Sequence, residues 1–257
     1  MTEIRKRIRA VFFALDETLL DDDRCMREAL ARTCHALNEL YPQIEPGKLQ
    51  AAYLQVSDQW WLSSGSVPRT SDSGSTNGRD IRIEVWSDAL KAYGLPDQDL
   101  AVKAADLYSQ ERRAGYCLFP DVGEVLDALH QRFILGVITN GPGDTQIEKV
   151  QVTGIAPYLR VFAVSGVLRV GKPEPGIFLR ALEYARCPPG QALYVGDSLT
   201  SDIVGAKGVG MYAVWINRKK IAKPQNVVSP DLEIKGLREL LPLFGSGKTL
   251  VIPNLSF

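Results

Sequence analysis

Asp16, Thr139, Lys172, Asp197 and Asp202 are the residues of this sequence whose types, taken together, can hold a phosphoryl group beside a hard cation. Three carboxylates gathered at one crevice repel one another unless a cation sits among them, and Mg²⁺ takes carboxylate, carbonyl and water oxygens. A lysine and a hydroxyl opposite that metal hold phosphoryl oxygens. The turn Asn140-Gly141-Pro142-Gly143 then opens a helical stretch, whose free N–H groups favour an anion. Singly, each residue has a plainer reading: Asp as a helix cap, Thr-Asn-Gly as a turn, Lys as a solvated charge. Joint placement is what carries the argument.

That placement comes from the elements around them. Short apolar, β-branched or aromatic runs at 8–13, 133–138, Val161–Val164, 192–195 and 211–216 read as buried strands. Helical stretches at 121–131, 143–153, 173–186 and 199–207 alternate with the later strands, the pattern of a doubly wound parallel α/β sheet. In such sheets ligands bind beyond the carboxyl ends of the strands. Asp16 follows the first strand, Thr139 and Asn140 the second, Lys172 the third, and Asp197 and Asp202 the fourth.

Between the first strand and the rest, 21–116 offers helix-like patterns at 24–40, 46–62, 80–93 and 97–114 and no convincing strand run. The expected organisation is an α/β core from 1–20 and 117–244, an inserted helical domain at 21–116, and a tail at 245–257 that is a short strand or loose. The stretch 63–80, rich in Ser, Gly and Asp, reads as a loop.

With these residues in place the chain resembles the haloacid dehalogenase superfamily, in its phosphatase branch, with a Rossmann-like core and a helical C1-type cap. The family's first motif, two hydrophobic residues and then D-x-D-x-T-L, is met by Phe12-Phe13-Ala14-Leu15-Asp16-Glu17-Thr18-Leu19. Its second, a Ser or Thr ending the next strand, is Thr139; its third is Gly171-Lys172-Pro173-Glu174-Pro175-Gly176-Ile177-Phe178; its fourth is Gly196-Asp197-Ser198-Leu199-Thr200-Ser201-Asp202-Ile203. The resemblance covers 8–20 and 117–243 and implies roles residue by residue. Position 14 is the nucleophile that forms an aspartyl-phosphate, and Asp16 is the acid and base, with its backbone carbonyl on the metal. Thr139 and Lys172 bind the phosphoryl group, with Asn140 and Gly141 beside them. Asp197 ligates Mg²⁺, and Asp202 supports it directly or through water.

The departure is Ala14, a methyl group where the family has its nucleophilic carboxylate. Losing a covalent nucleophile costs on the order of four or more decades in rate. The expectation is a magnesium-dependent phosphomonoesterase of a small phosphorylated metabolite whose turnover is largely lost. Because every other catalytic position is intact, Ala14 reads as an isolated change made to hold substrate or silence the enzyme. The alternative is a natural pseudoenzyme that binds a phosphorylated ligand or a protein partner. A dehalogenase fits less well, because Asp16, Thr18 and the fourth motif favour phosphate esters.

Composition excludes several other classes. Lys+Arg and Asp+Glu balance at 30 each, so no global field draws nucleic acid or an anionic membrane. No apolar run nears the ~18 residues that span a bilayer, and the start MTEIRKRIRAV lacks an apolar signal core, which makes a soluble cytoplasmic protein the expectation. Cys25, Cys34, Cys117 and Cys187 form no C-x-x-C pair and read as buried free thiols. Asp21-Asp22-Asp23 reads as a helix cap, Trp60 and Trp61 as core with a possible role over substrate, and Arg69, Arg79 and Arg82 as solvated charges with a possible role at a second anion. His35 and His130 lie in helical patterns away from the strand ends. Gly-Ser-Gly-Lys-Thr at 245–249 lacks the first glycine of a P-loop, and Asn254-Leu255-Ser256 fits the glycosylation triplet without meaning in a cytosolic protein.

Overall fold

The computed structural model describes residues 4–64, 77–244 and 249–252. Arg69, most of the 63–80 loop, residues 245–248 and the triplet at 254–256 lie outside them. In chain order the elements are β1 (Ile4–Arg7), β2 (Ala10–Phe13), α1 (Asp22–Leu40), α2 (Pro46–Ser64), α3 (Gly78–Tyr93), α4 (Gln98–Gly115), α5 (Val122–His130), β3 (Ile134–Thr139) and α6 (Gly143–Val152). Then follow β4 (Val161–Val164), α7 (Ser165–Leu168), α8 (Pro175–Tyr184), β5 (Ala192–Gly196), α9 (Val204–Gly208), β6 (Tyr212–Ile216), β7 (Leu232–Ile234) and β8 (Thr249–Ile252).

Six strands form one parallel sheet in the order β4-β3-β2-β5-β6-β7, the order of a doubly wound α/β fold in which the chain reverses direction at β2. The middle strands are buried along their length, as a sheet covered on both faces requires. Phe12, Ile138, Phe178, Tyr194 and Trp215 belong to one apolar cluster on it. Packing is tight enough to demand glycine at 136: a Cβ there would lie 2.8 Å from the Phe12 ring and 2.9 Å from Val161.

Several expectations change in detail. The 8–13 strand is β2 alone, with Ile8 buried before it, and the separate β1 pairs antiparallel with β8, so part of the tail is a strand. The short β7, absent from the sequence reading, adds the sheet's edge. The 173–186 helix starts at Pro175, whose missing N–H suits a first turn. The 199–207 helix opens as a π turn, Leu199–Ile203. The 235–243 helix is a 3₁₀ segment, Leu237–Phe244, with Pro242 inside it. The 63–80 loop is shorter than expected: Ser63 still belongs to α2, and Asn77 caps α3 by accepting the Asp80 N–H at 2.8 Å.

By internal contacts the chain divides into two compact units, one of residues 1–20, 118–140 and 154–257, the other of 21–117 and 141–153. The second has its own apolar cluster, in which Tyr53, Trp86 and Tyr108 pack ring on ring. Helix α6, expected with the sheet, contacts α3 and α4 here, and its Asp144 carboxylate accepts the Gly78 N–H through both oxygens at 2.9 and 3.0 Å.

Asp22 does more than complement a helix dipole. Asp21, the cap residue of α1, makes no capping hydrogen bond. The Asp22 Oδ1 instead takes Arg112 of α4 at 2.7 Å and Lys149 of α6 at 3.0 Å, joining three helices through a buried ion triad. Burial alone would raise the Asp22 pKa, but the Lys149 and Arg112 charges outweigh it and hold it down at about 2. Since that lies below the ordinary 3.8, the triad's stabilisation is present above about pH 4 and is lost as pH falls towards 2. We expect Asp22→Asn to cost about 3 kcal/mol at neutral pH, because it strands two buried cations, and to flatten that acid limb. Urea unfolding of both proteins between pH 7 and 2 measures this, and parallel curves would refute it.

Candidate active site

The sheet brings its polar ends together by register. Phe13 of β2 lies opposite Val137 of β3 and Val195 of β5, so the residues just beyond all three emerge on one edge. Ala14 is fixed there by its N–H, which donates to the Val195 carbonyl at 2.9 Å, and its methyl is buried in the apolar cluster. The chain then turns sharply. Leu19 and Leu20 both return N–H bonds to the Leu15 carbonyl at 2.9 and 3.0 Å, and Glu17 sits at φ 58, in the left-handed region. Asp16 rides half-buried on this turn. Thr18, fully buried, donates its hydroxyl to Asp197 Oδ1 at 3.3 Å.

Lys172 and Asp202 form the centre of the arrangement. The Lys172 ammonium, 8% exposed, lies 2.6 Å from Asp202 Oδ1 and 3.2 Å from the Tyr194 hydroxyl, which itself is 2.9 Å from the same carboxylate oxygen. Asp202 Oδ2 accepts the Ser198 N–H at 3.0 Å. Glycine at 196 makes this possible, since a Cβ there would meet the Asp202 carboxyl at 2.4–2.6 Å. Ser198 caps the π turn through the Ser201 N–H, and that turn aims Asp202 back under the strand end.

Asn140 is bonded to the backbone of Lys172. Its Oδ1 accepts the Lys172 N–H at 2.8 Å and its Nδ2 donates to the Lys172 carbonyl at 3.0 Å, so it pins the lysine's backbone to the end of β3. Thr139 is buried at that strand's last position, level with Val164. Gly141 adopts φ +140, and a Cβ on it would meet the Gln146 side chain at 2.8 Å; it opens the 141–153 segment of the helical unit.

The cluster of three carboxylates expected of Asp16, Asp197 and Asp202 is not gathered. Among the described residues, no group of three or more acidic, histidine or cysteine side chains could hold a metal ion. The reason is visible in the bonding: Asp202 is turned onto Lys172 and Tyr194, and position 14 supplies a methyl in place of an oxygen. Asp197 is the group that suits a cation. Burial first, and the charge of Asp202 second, push its pKa up to about 7 against the pull of Lys172. A divalent ion beside it would supply the missing compensation.

Two residues of the site escaped the sequence reading. Tyr194 lies inside a uniformly buried strand, where no periodicity marks a functional hydroxyl. Arg218 follows β6, so the strand-end rule could have found it. It donates to the Thr18 carbonyl at 2.9 Å, clasps Asp121 at 2.9 and 3.2 Å and stacks on Phe119 at 3.9 Å, fastening the turn that carries Asp16. Other candidates fall elsewhere. His35 is exposed on α1, and the His130 ring bonds backbone carbonyls of its own helix. Arg79 pairs with Asp106 on the surface, and Trp60 is buried in its unit's core. Trp61 and Arg82 line a cavity of about 210 Å³ within the helical unit, together with Tyr53, Tyr108, Arg112 and Lys149.

Residues 8–210 match the family described as haloacid dehalogenase-like hydrolase. The chain belongs to that family. It is 30% identical over 243 residues to the human N-acylneuraminate-9-phosphatase, covering 93% of this chain and 95% of that protein. In three dimensions it is similar to the HAD-hydrolase YfnB from Bacillus subtilis, solved bound to magnesium, with a TM-score of 0.72, 25% identity, and coverage of 93% of this chain and 100% of that one. It is also similar to 2-haloacid dehalogenase from Pseudomonas syringae, with a TM-score of 0.66, 31% identity, and coverage of 91% and 96%. Hydrolases with phosphatase relatives therefore set the frame for this site. Among the described residues, no helix is long and apolar enough to cross a membrane.

Because Lys172 and Asp202 are buried against each other, removing one charge should cost far more than removing both. We expect Asp202→Asn to destabilise the protein by about 3 kcal/mol, and Lys172→Met with Asp202→Asn to recover at least half of that. A double-mutant cycle by urea unfolding decides it; additive single losses would mean the pair is not coupled.

Proposed function

We propose that this chain carries the active site of a magnesium-dependent phosphomonoesterase acting on a small phosphorylated metabolite, stalled because position 14, where the nucleophile belongs, is alanine. The observation that supports it most is the buried Lys172 ammonium, held by Asp202, Tyr194 and the Asn140 clamp at the sheet edge where Ala14 and Asp197 also lie. A fixed cation at that edge is suited to a phosphoryl group and poorly suited to a neutral carbon substrate.

Each residue has a task in this reading. Lys172 and the Thr139 hydroxyl bind phosphoryl oxygens. Asp16, two residues beyond the nucleophile position, protonates the leaving oxygen and later takes a proton from water. Asp197, with Asp16, holds the metal, which when bound neutralises phosphoryl charge. Asp202 and Asn140 keep Lys172 in place. An alanine at 14 leaves the phosphoryl-binding Lys172 and Thr139 in place, weakens the metal's hold by one anionic ligand and removes the attacking oxygen, so substrate is held and barely turned over. A dehalogenase is the reading the Pseudomonas relative supports, but Asp16 and the Thr18–Asp197 link favour phosphate esters.

We expect Ala14→Asp to create magnesium-dependent hydrolysis of an aryl phosphate, at least a hundredfold above the parent. Further Asp16→Asn or Lys172→Ala should remove most of it, and Ala14→Asn, similar in size to aspartate but uncharged, should gain nothing. Equal, undetectable turnover by the Asp and Asn variants at saturating Mg²⁺ would leave a phosphoryl-binding protein as the better reading.

Adding the carboxylate should also crowd Asp16 and Asp197. Without metal, Ala14→Asp is expected to lower Tm, and saturating Mg²⁺ to restore it. A neutral or stabilising substitution in metal-free buffer would argue against an acidic site at this edge.

A further inference from the structure

Cys25, in the first turn of α1, and Cys117, just past α4, are 92 residues apart, yet their sulfurs stand 2.8 Å from each other. Both thiols are free. They sit where the chain enters and leaves the helical segment 21–117, and the backbone holds them there independently of the sulfurs. The Asp21 N–H donates to the Cys117 carbonyl at 3.2 Å, and the flanking Leu20 and Leu118 form an antiparallel bridge. Arg24 adds a second clamp: its guanidinium bonds Asp21 at 2.7 Å and donates to Cys117 Sγ at 2.9 Å.

We propose that Cys25 and Cys117 are a reversible dithiol–disulfide site that staples the entry of the helical segment to its exit. Little must move to form the bond, since the sulfurs need close by less than about 1 Å to reach the ~2.05 Å of a disulfide. Exposure sets the order of events. Cys117 is partly exposed and Cys25 is buried, and burial pushes the Cys25 thiol up to about 12, so Cys117 meets a reagent first. The oxidant is a low-molecular-weight disulfide. The Cys117 thiolate attacks one of its sulfurs and releases one small thiolate. Cys25 then gives its proton to solvent and attacks Cys117 Sγ, releasing the second. Two protein thiols are oxidised, two electrons pass to the reagent, and two small thiols are formed.

Incubation of the full-length chain with oxidised glutathione at pH 8, followed by non-reducing mass spectrometry and peptide mapping, tests this. The expected product is a monomer lighter by two hydrogens, with a peptide joining Cys25 to Cys117, while Cys34 and Cys187 stay free. Closing so long a loop should raise Tm on the order of 5–10 °C, and dithiothreitol should reverse both changes. Cys117→Ser and Cys25→Ala should each abolish the cross-link without changing the Tm of reduced protein by more than a few degrees. A persistent glutathione adduct on Cys117, a cross-link to Cys34 or Cys187, a disulfide dimer, or two unreacted thiols after overnight exposure would each overturn the proposal.

Discussion

The contact on which the site depends is the buried ion pair of Lys172 and Asp202, with the Tyr194 hydroxyl against both. A lysine taken out of water keeps its charge only if something pairs with it. Once Asp202 does so, its own oxygens are committed, Ser198 must offer its N–H, and residue 196 must lack a side chain. Asn140, just past β3, completes the constraint by gripping the lysine's backbone. The ends of β3 and β5 and the π turn all hold this one lysine.

Ala14 changes the balance of that edge. An aspartate there would add a third or fourth negative charge near Asp197, and the cation that relieves it would bind more tightly. Burial first, and the charge of Asp202 second, already raise the Asp197 pKa to about 7. In the proposed reading, an alanine that offers no attacking oxygen would also leave the metal one anionic ligand fewer.

The helical unit is organised by different forces. Its aromatic cluster supplies apolar burial, while the Asp22 triad joins α1, α4 and α6 across a long stretch of sequence. The thiol pair marks the point where the segment 21–117 begins and ends, close to the same first turn of α1. Charge and sulfur chemistry therefore converge on the segment 21–25, which looks in sequence like an unremarkable acidic helix start.

What the sequence determined alone were the things governed by short-range pattern. Buried strands declare themselves as apolar runs, and the four inserted helices by 3.6-residue spacing. The strand-end rule singled out Ala14, Asp16, Thr139, Lys172, Asp197 and Asp202 as one group to expect at the carboxyl edge of the sheet. Partnership was decided only by tertiary structure. Asp202 faces a lysine 30 residues away instead of joining Asp16 and Asp197, Asn140 serves that same lysine's backbone, and Tyr194 and Arg218 become part of the site. Cys25 and Cys117, scattered in the sequence, become neighbours, and α6 joins the helical unit instead of lying with the sheet that precedes it. The physical reason is common to all of these: a side chain's local pattern tells whether it is buried, but which charge, hydroxyl or thiol it meets depends on how distant segments cross, and no period in the chain encodes that.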